Sequence, residues 1–185
     1  MRIGDISLLA KVLTEDPAAM AALRSVRDLD LPDGWIAAGF ARNRVWDALC
    51  GNAAEPGGDI DVVYHDAADA QATTDAQHEE RLRALLSGAE WQVRNQARMH
   101  RRNGDAPYAT VAEAMSRWLE TATAIAVRLD RSNRFEVLAP YGLDDLYGLI
   151  CRPTAAGRER PEQYRARVHG KGWRQRWPGL VVIEP

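Results

Sequence analysis

WIAAGFARNRVWDALC over residues 35–50 and, after a short loop, GGDIDVVY over residues 57–64 together decide the fold. The apolar run Trp35-Ile36-Ala37-Ala38 stops at Gly39, the pattern of a short buried strand. From Ala41 the spacing changes to Val45, Ala48 and Leu49 on one helical face, and Cys50-Gly51 closes it. Strand, glycine and helix thus follow without a gap. Asn52 to Gly58 is rich in Gly, Pro and small residues and has the composition of a mobile loop. Asp59-Ile60-Asp61-Val62-Val63-Tyr64 then reads as a second strand.

Upstream, Ile6, Leu9 and Leu13 recur at helical spacing, and Asp16-Pro17 is an N-cap with proline in the first turn, leading to Met20, Leu23 and Val26. Two helices over 1–30 are expected. Downstream, Glu79, Leu82, Leu85 and Leu86 predict a helix before Gly88, and Trp91 to Gln96 a third strand. Thr110-Val111-Ala112-Glu113 fits a capping box, with Val111, Ala114, Met115 and Trp118 as the buried stripe. Thr123 to Leu129 and Arg134 to Ala139, joined by Asp130-Arg131-Ser132-Asn133, predict an antiparallel hairpin. Leu143, Leu146, Tyr147 and Ile150 mark a helix, and Pro161 opens a basic one through Tyr164 and Val168. The order predicts an α/β (α+β) fold, a mixed sheet flanked by helices. A length of 185 residues fits one domain, with 155–185 packed on it as a tail that Trp173 and Trp177 anchor.

Lys+Arg is 24 and Asp+Glu 26, so the net charge of -2 provides no global field toward nucleic acid or anionic lipid. A nucleic-acid partner is neither indicated nor excluded. The segment to Leu13 carries Asp5 and Lys11 and is too short and too charged for a signal peptide or membrane span. Cys50 and Cys151 lie far apart without a CxxC partner and read as reduced thiols in a cytoplasmic protein.

Side chains two apart in a strand share a face, so Asp59 and Asp61 project together while Ile60 enters the core. Adjacent carboxylates repel unless a cation lies between them, and Mg²⁺ (or Mn²⁺) takes one or two carboxylates plus substrate phosphates. A DxD pair can equally be two solvated surface acids. Gly57-Gly58 beside it permits close approach of a ligand, and the upstream strand-glycine-helix unit can aim helix N-terminal amides at a phosphate. Arg42 and Asn43 follow the glycine closely. Arg98, His100, Arg101 and Arg102 form a basic cluster able to receive phosphate oxygens, although such runs are commonly solvated faces. His100 is assigned no catalytic role, and Asp144-Asp145 read as helix-start acids.

WIAAGFARNRVWDAL, GDIDVVYHD, WQVRNQARMH, RWLETATAIAVRL and APYGLDDLYGLICRPT, from Trp35 to Thr154, resemble a nucleotidyltransferase-like family of bacterial proteins in the polymerase-beta-like superfamily. The resemblance implies that Gly39 and its helix hold a nucleoside triphosphate; Arg42 and Asn43, by their place just after the glycine, and Arg98, from the basic cluster, are the candidate phosphate contacts beside it. It implies that Asp59 and Asp61 are the catalytic, metal-binding pair. Phe40 stands where the superfamily has a second glycine or a serine, and the gap from Gly39 to Asp59 is longer than its norm. For the third metal ligand the candidates are Asn95, a neutral oxygen donor on the next strand, and Glu120, which also reads as a helix-end carboxylate.

The implied activity moves a nucleoside monophosphate from a Mg²⁺-nucleoside triphosphate to an acceptor that the sequence does not identify. A nucleotide-binding module of the same fold without turnover is the alternative. Asp59-Ile60-Asp61-Val62-Val63 also fits the nucleophile loop of haloacid-dehalogenase-type phosphatases, but Glu55-Pro56-Gly57-Gly58 replaces the apolar strand that should precede it.

Overall fold

The computed structural model describes residues 5–53 and 58–185. The middle of the expected loop, including Gly57, and the first four residues of the N-terminal segment lie outside the described residues. Helices α1 (Ser7–Thr14) and α2 (Pro17–Leu29) open the chain. The Asp16 carboxylate accepts from the amides of Ala18 and Ala19, so two otherwise orphaned donors of α2 are satisfied. Strand β1 (Trp35–Ala37) enters α3 (Gly39–Cys50), followed by β2 (Asp59–Tyr64), α4 (Ala72–Leu85) and β3 (Glu90–Asn95).

Next come the short helices α5 (Met99–Asn103) and α6 (Val111–Ser116), then the hairpin β4 (Ala126–Leu129) and β5 (Phe135–Leu138). The chain finishes through α7 (Asp144–Tyr147), β6 (Ile150–Cys151), α8 (Ala155–Glu159), α9 (Pro161–Gly170), α10 (Trp173–Arg176) and β7 (Val181–Val182). The main sheet has the order β3-β2-β1-β4-β5, and β6-β7 form a second, two-stranded parallel sheet. Only β2 and β3 pair in parallel within the main sheet, and α4 provides the crossover that such a pair needs.

One face of the sheet, with Ile36, Val62 and Tyr64, packs into the larger core beside Leu9, Leu13, Leu23 and Leu82. The opposite face carries a smaller cluster in which Trp35, Ala37, Val63 and Ala126 meet Val111 and Met115 of α6. By strand alternation Asp59 and Asp61 share the face of Val63, beyond the edge of that cluster. The C-terminal segment docks on α3: Trp46 meets Trp173 and Trp177 edge-on, with centroids 6.1 and 4.9 Å apart. Asp47 accepts from the Trp177 indole at 2.9 Å and pairs with Arg176 at 2.6 Å. Cys50 and Cys151 are free thiols.

Several expected boundaries shift for local reasons. The helix opened by Thr110 ends at Ser116, short of Trp118, and Thr121–Thr123 form a 3₁₀ turn before β4. The stripe Leu143 to Ile150 yields one helical turn, because Leu149 takes a left-handed φ of 51° and turns Ile150 into β6. The helix expected from Ala41 starts at Gly39. No helix of the described residues is long and apolar enough to cross a membrane.

Candidate active site

The N-terminal ends of the parallel strands β2 and β3 and the start of α3 surround an open cavity of about 550 Å³. Ala38 makes the turn from β1 into α3 with φ at 56°. Its amide donates to Ile125 at 3.0 Å and its carbonyl accepts from the Arg42 amide at 3.3 Å, so both sides of the turn are pinned. No side chain caps α3, whose first residues, Gly39 and Phe40, line the cavity. A Cβ at Gly39 would stand 3.4 Å from the Arg42 Nη2 and Asn43 Nδ2 atoms, so these polar tips lie directly over the first residue of the helix. Arg44 braces the same turn, donating to the Phe40 carbonyl at 3.0 Å and to Asp16 at 2.7 Å.

Arg42 is only 5% exposed. Its guanidinium lies 5.3 Å from the Trp46 ring centre and 4.5 Å from that of Trp173. Nη2 donates to Asn43 Oδ1 at 2.8 Å, while the buried Nε has no partner among the described residues. Burial lowers its pKa to about 10, against the opposing charge of Glu120, so the cation persists at neutral pH. A buried cation with an unmet donor is costly unless an anion can complete it.

Asp59 is exposed and Asp61 half-buried. Gln92 donates to Asp59 Oδ2 at 2.8 Å. Burial raises the Asp61 carboxyl pKa, and the charge of Asp59 raises it further, against Arg167, Lys171 and Arg42. Two like-charged carboxylates side by side suit a divalent ion at this place, and the cations around them suit the anions it would carry.

Gly39, Phe40, Arg42, Asn43, Asp59 and Asp61 therefore meet at one cavity. Asn95 does not join them. It pairs with Tyr64 at the other end of β2, and its amide group is spent holding the loop, donating to Asp66 O at 2.7 Å and Asp69 O at 2.9 Å. Arg98 also lies at that remote end, ion-paired with buried Asp75, which accepts the Tyr64 hydroxyl at 2.8 Å. Glu120 sits behind the cavity, 1% exposed, accepting from Thr123 Oγ1 at 2.8 Å and Arg167 Nε at 3.1 Å. Among the described residues no group of three or more His, Cys, Asp or Glu is gathered for a metal ion.

Sequence reasoning missed Glu90, Arg167 and Lys171, which also line the cavity. Glu90 is in register with Asp59, and the period-two alternation of β3 from Glu90 was the signal that could have found it. Arg167 and Lys171 come from α9 and its end, where only a basic helix was legible.

The sequence matches the family described as Nucleotidyltransferase over residues 24–182. One similar solved structure is described as revealing a CCA-adding enzyme head domain; it is 33% identical with a TM-score of 0.87, covering 100% of this chain and 98% of that one. A CCA-adding enzyme with CTP is 18% identical with a TM-score of 0.62. The Thermotoga maritima CCA-adding enzyme complexed with tRNA is 18% identical with a TM-score of 0.61. Both comparisons cover 100% of this chain but 44% of the other, so the chain spans less than half of those two enzymes. Among curated proteins the chain has no match. With most of its length matched by the family, the chain belongs to the nucleotidyltransferases.

Proposed function

We propose that this protein transfers a nucleoside monophosphate from a Mg²⁺- or Mn²⁺-bound nucleoside triphosphate to an acceptor hydroxyl, with pyrophosphate as the leaving group. The observation that carries the reading is the meeting of Asp59 and Asp61 with buried Arg42 around one cavity at the head of α3. Asp59 and Asp61 would hold the divalent ion, which when bound polarises the reacting phosphate and offsets its charge. Gln92 orients the Asp59 carboxylate.

The start of α3, at Gly39 and Phe40, offers backbone amides to the phosphates, which needs no hydroxyl at position 40. Arg42 supplies a desolvated cation, and Asn43 holds its Nη2. In the reaction the acceptor oxygen forms a bond to the α-phosphorus as the bond to the bridging oxygen breaks, and the acceptor proton passes to solvent or a nearby base. Positioning and charge stabilisation are what these residues contribute.

A binding module without turnover is the second reading, favoured because no third acid, Glu90 included, is gathered with Asp59 and Asp61 into a metal-holding group among the described residues. Pyrophosphate release with each of the four triphosphates, and with tRNA lacking its 3′ end or a small polyol as acceptor, separates the two. Release that disappears in Asp59→Asn/Asp61→Asn supports transfer. Tight, magnesium-dependent binding without release under every acceptor supports the module.

A further inference from the structure

The side of the cavity formed by the C-terminal segment also carries charge. Arg167 in the last turn of α9 and Lys171 just after it both line the cavity. Two neighbouring cations are neutralised within the fold, Arg44 by Asp16 at 2.7 Å and Arg176 by Asp47 at 2.6 Å. Lys171, in contrast, has no ion-pair partner among the described residues. Its ammonium is a solvated point charge on a flexible stem, suited to reach phosphate oxygens.

Arg167 is differently held. Its Nε donates to Glu120, which is 1% exposed and is the only carboxylate within ion-pair distance of Arg167 among the described residues. Because the bond uses Nε, the fork of terminal nitrogens is left for a second anion. A carboxylate as buried as Glu120 is tolerated only while its cation stays in place, which makes the pair a rigid mount.

Charge balance favours a polyphosphate as the ligand. A divalent ion offsets Asp59 and Asp61, so the phosphates then need cations of their own: of those lining the cavity, Arg44 and Arg176 are spent on Asp16 and Asp47, whereas Arg42 and Lys171 have no ion pair among the described residues and Arg167 engages Glu120 through Nε. An extended nucleic-acid backbone would call for a stripe of cations running across the surface, whereas these three converge on one cavity.

We infer that Arg167 and Lys171 form a cationic wall that takes the polyphosphate of the incoming nucleotide, with Glu120 as the positioning residue that holds Arg167. This rests on the transferase reading and adds to it the C-terminal helix as part of the nucleotide site. Glu120 then acts through Arg167, not as a metal ligand.

Titration calorimetry of the full chain with Mg²⁺ and ATP, inorganic tripolyphosphate or AMP tests it. Lys171→Ala, an exposed change that leaves the fold intact, is expected to weaken ATP and tripolyphosphate about 10-fold and to leave AMP unchanged, and Lys171→Arg to restore most of the loss. Glu120→Gln is expected to weaken tripolyphosphate in the parent but not further in Arg167→Ala, whereas a purely structural role lowers the melting temperature of both alike. Unchanged tripolyphosphate affinity in Lys171→Ala and Arg167→Ala, with the parent binding normally, overturns the wall alone. A parent that binds no nucleotide with magnesium overturns the transferase reading with it. Loss of a short RNA instead of ATP in these variants assigns the wall to nucleic acid and also overturns the proposal.

Discussion

The guanidinium of Arg42 lies 4.5 Å from the centre of the Trp173 ring, so a cation at the head of α3 is seated on an aromatic side chain from near the end of the chain. Trp173 is 4% exposed, and a desolvated cation–π contact is worth about 2 kcal/mol beyond the packing. Trp173→Ala is expected to cost about 3–5 kcal/mol in urea unfolding and to weaken nucleotide binding in the fraction that stays folded. Trp173→Phe keeps a ring under Arg42 and should recover much of both. Equal nucleotide affinity in the Ala and Phe variants would show that Arg42 needs no such seat.

Asp16 links the first capped helix to the site, because the same carboxylate that caps α2 also holds Arg44 against the first turn of α3. Its partial burial raises the carboxyl pKa, but hydrogen bonds from Arg44 and the amides of Ala19 and Ala18 outweigh this and lower it below the usual range. A depressed acid contributes stability above its unfolded value and loses it as pH falls through the folded one. Asp16→Ala should therefore cost about 1–2 kcal/mol at pH 7, with the difference from the parent closing below the ordinary aspartate range. Thermal unfolding from pH 7 to pH 2 measures it, and a gap that persists at the acid end removes the charge from the explanation.

The local parts of the fold were legible because each rests on neighbours in sequence. Alternation put Asp59 and Asp61 on one face, Asp16-Pro17 marked a helix start, and the run from Asp130 to Asn133 marked the β4–β5 turn. Register was not legible. Asn95 was placed on the correct strand, yet parallel pairing sets it beside Tyr64 and sets Glu90 beside Asp59. Nothing in the residues around Glu120 announces Arg167, because their contact depends on how α8 and α9 return to the sheet. A basic helix seen alone has no direction, so the cationic side of the cavity emerged only with tertiary structure.

Asn95 illustrates the consequence in a form that can be measured. It is fully buried, and its side chain accepts from the amides of Asp66 at 3.1 Å and Ala97 at 3.0 Å besides its two donations. Truncation leaves the half-buried backbone groups of Asp66, Asp69 and Ala97 without these bonds, at up to about 1–3 kcal/mol each. Asn95→Ala should unfold at clearly lower urea, while Mn²⁺ affinity of the folded protein, read by electron paramagnetic resonance, stays that of the parent. A selective loss of Mn²⁺ at unchanged stability would return Asn95 to the metal site.

Ala38 carries the last prediction, since its φ of 56° with ψ at −122° is a conformation that side-chain-bearing residues avoid. Strain of this kind amounts to about 1–3 kcal/mol and persists only where surroundings hold it, here the Ile125 carbonyl on one side and the Arg42 amide on the other. Glycine relieves the strain but brings roughly 0.5–1 kcal/mol of unfolded-state entropy. Ala38→Gly should therefore stabilise the protein by about 1 kcal/mol, a melting-temperature gain of roughly 2–4 °C for a chain of this size. The same change loosens the turn that aims Gly39 and Phe40 at the cavity, so nucleotide binding is expected to weaken as stability rises. A variant that loses stability would mean that the methyl of Ala38, 7% exposed in the cluster with Trp35 and Met115, outweighs the backbone strain.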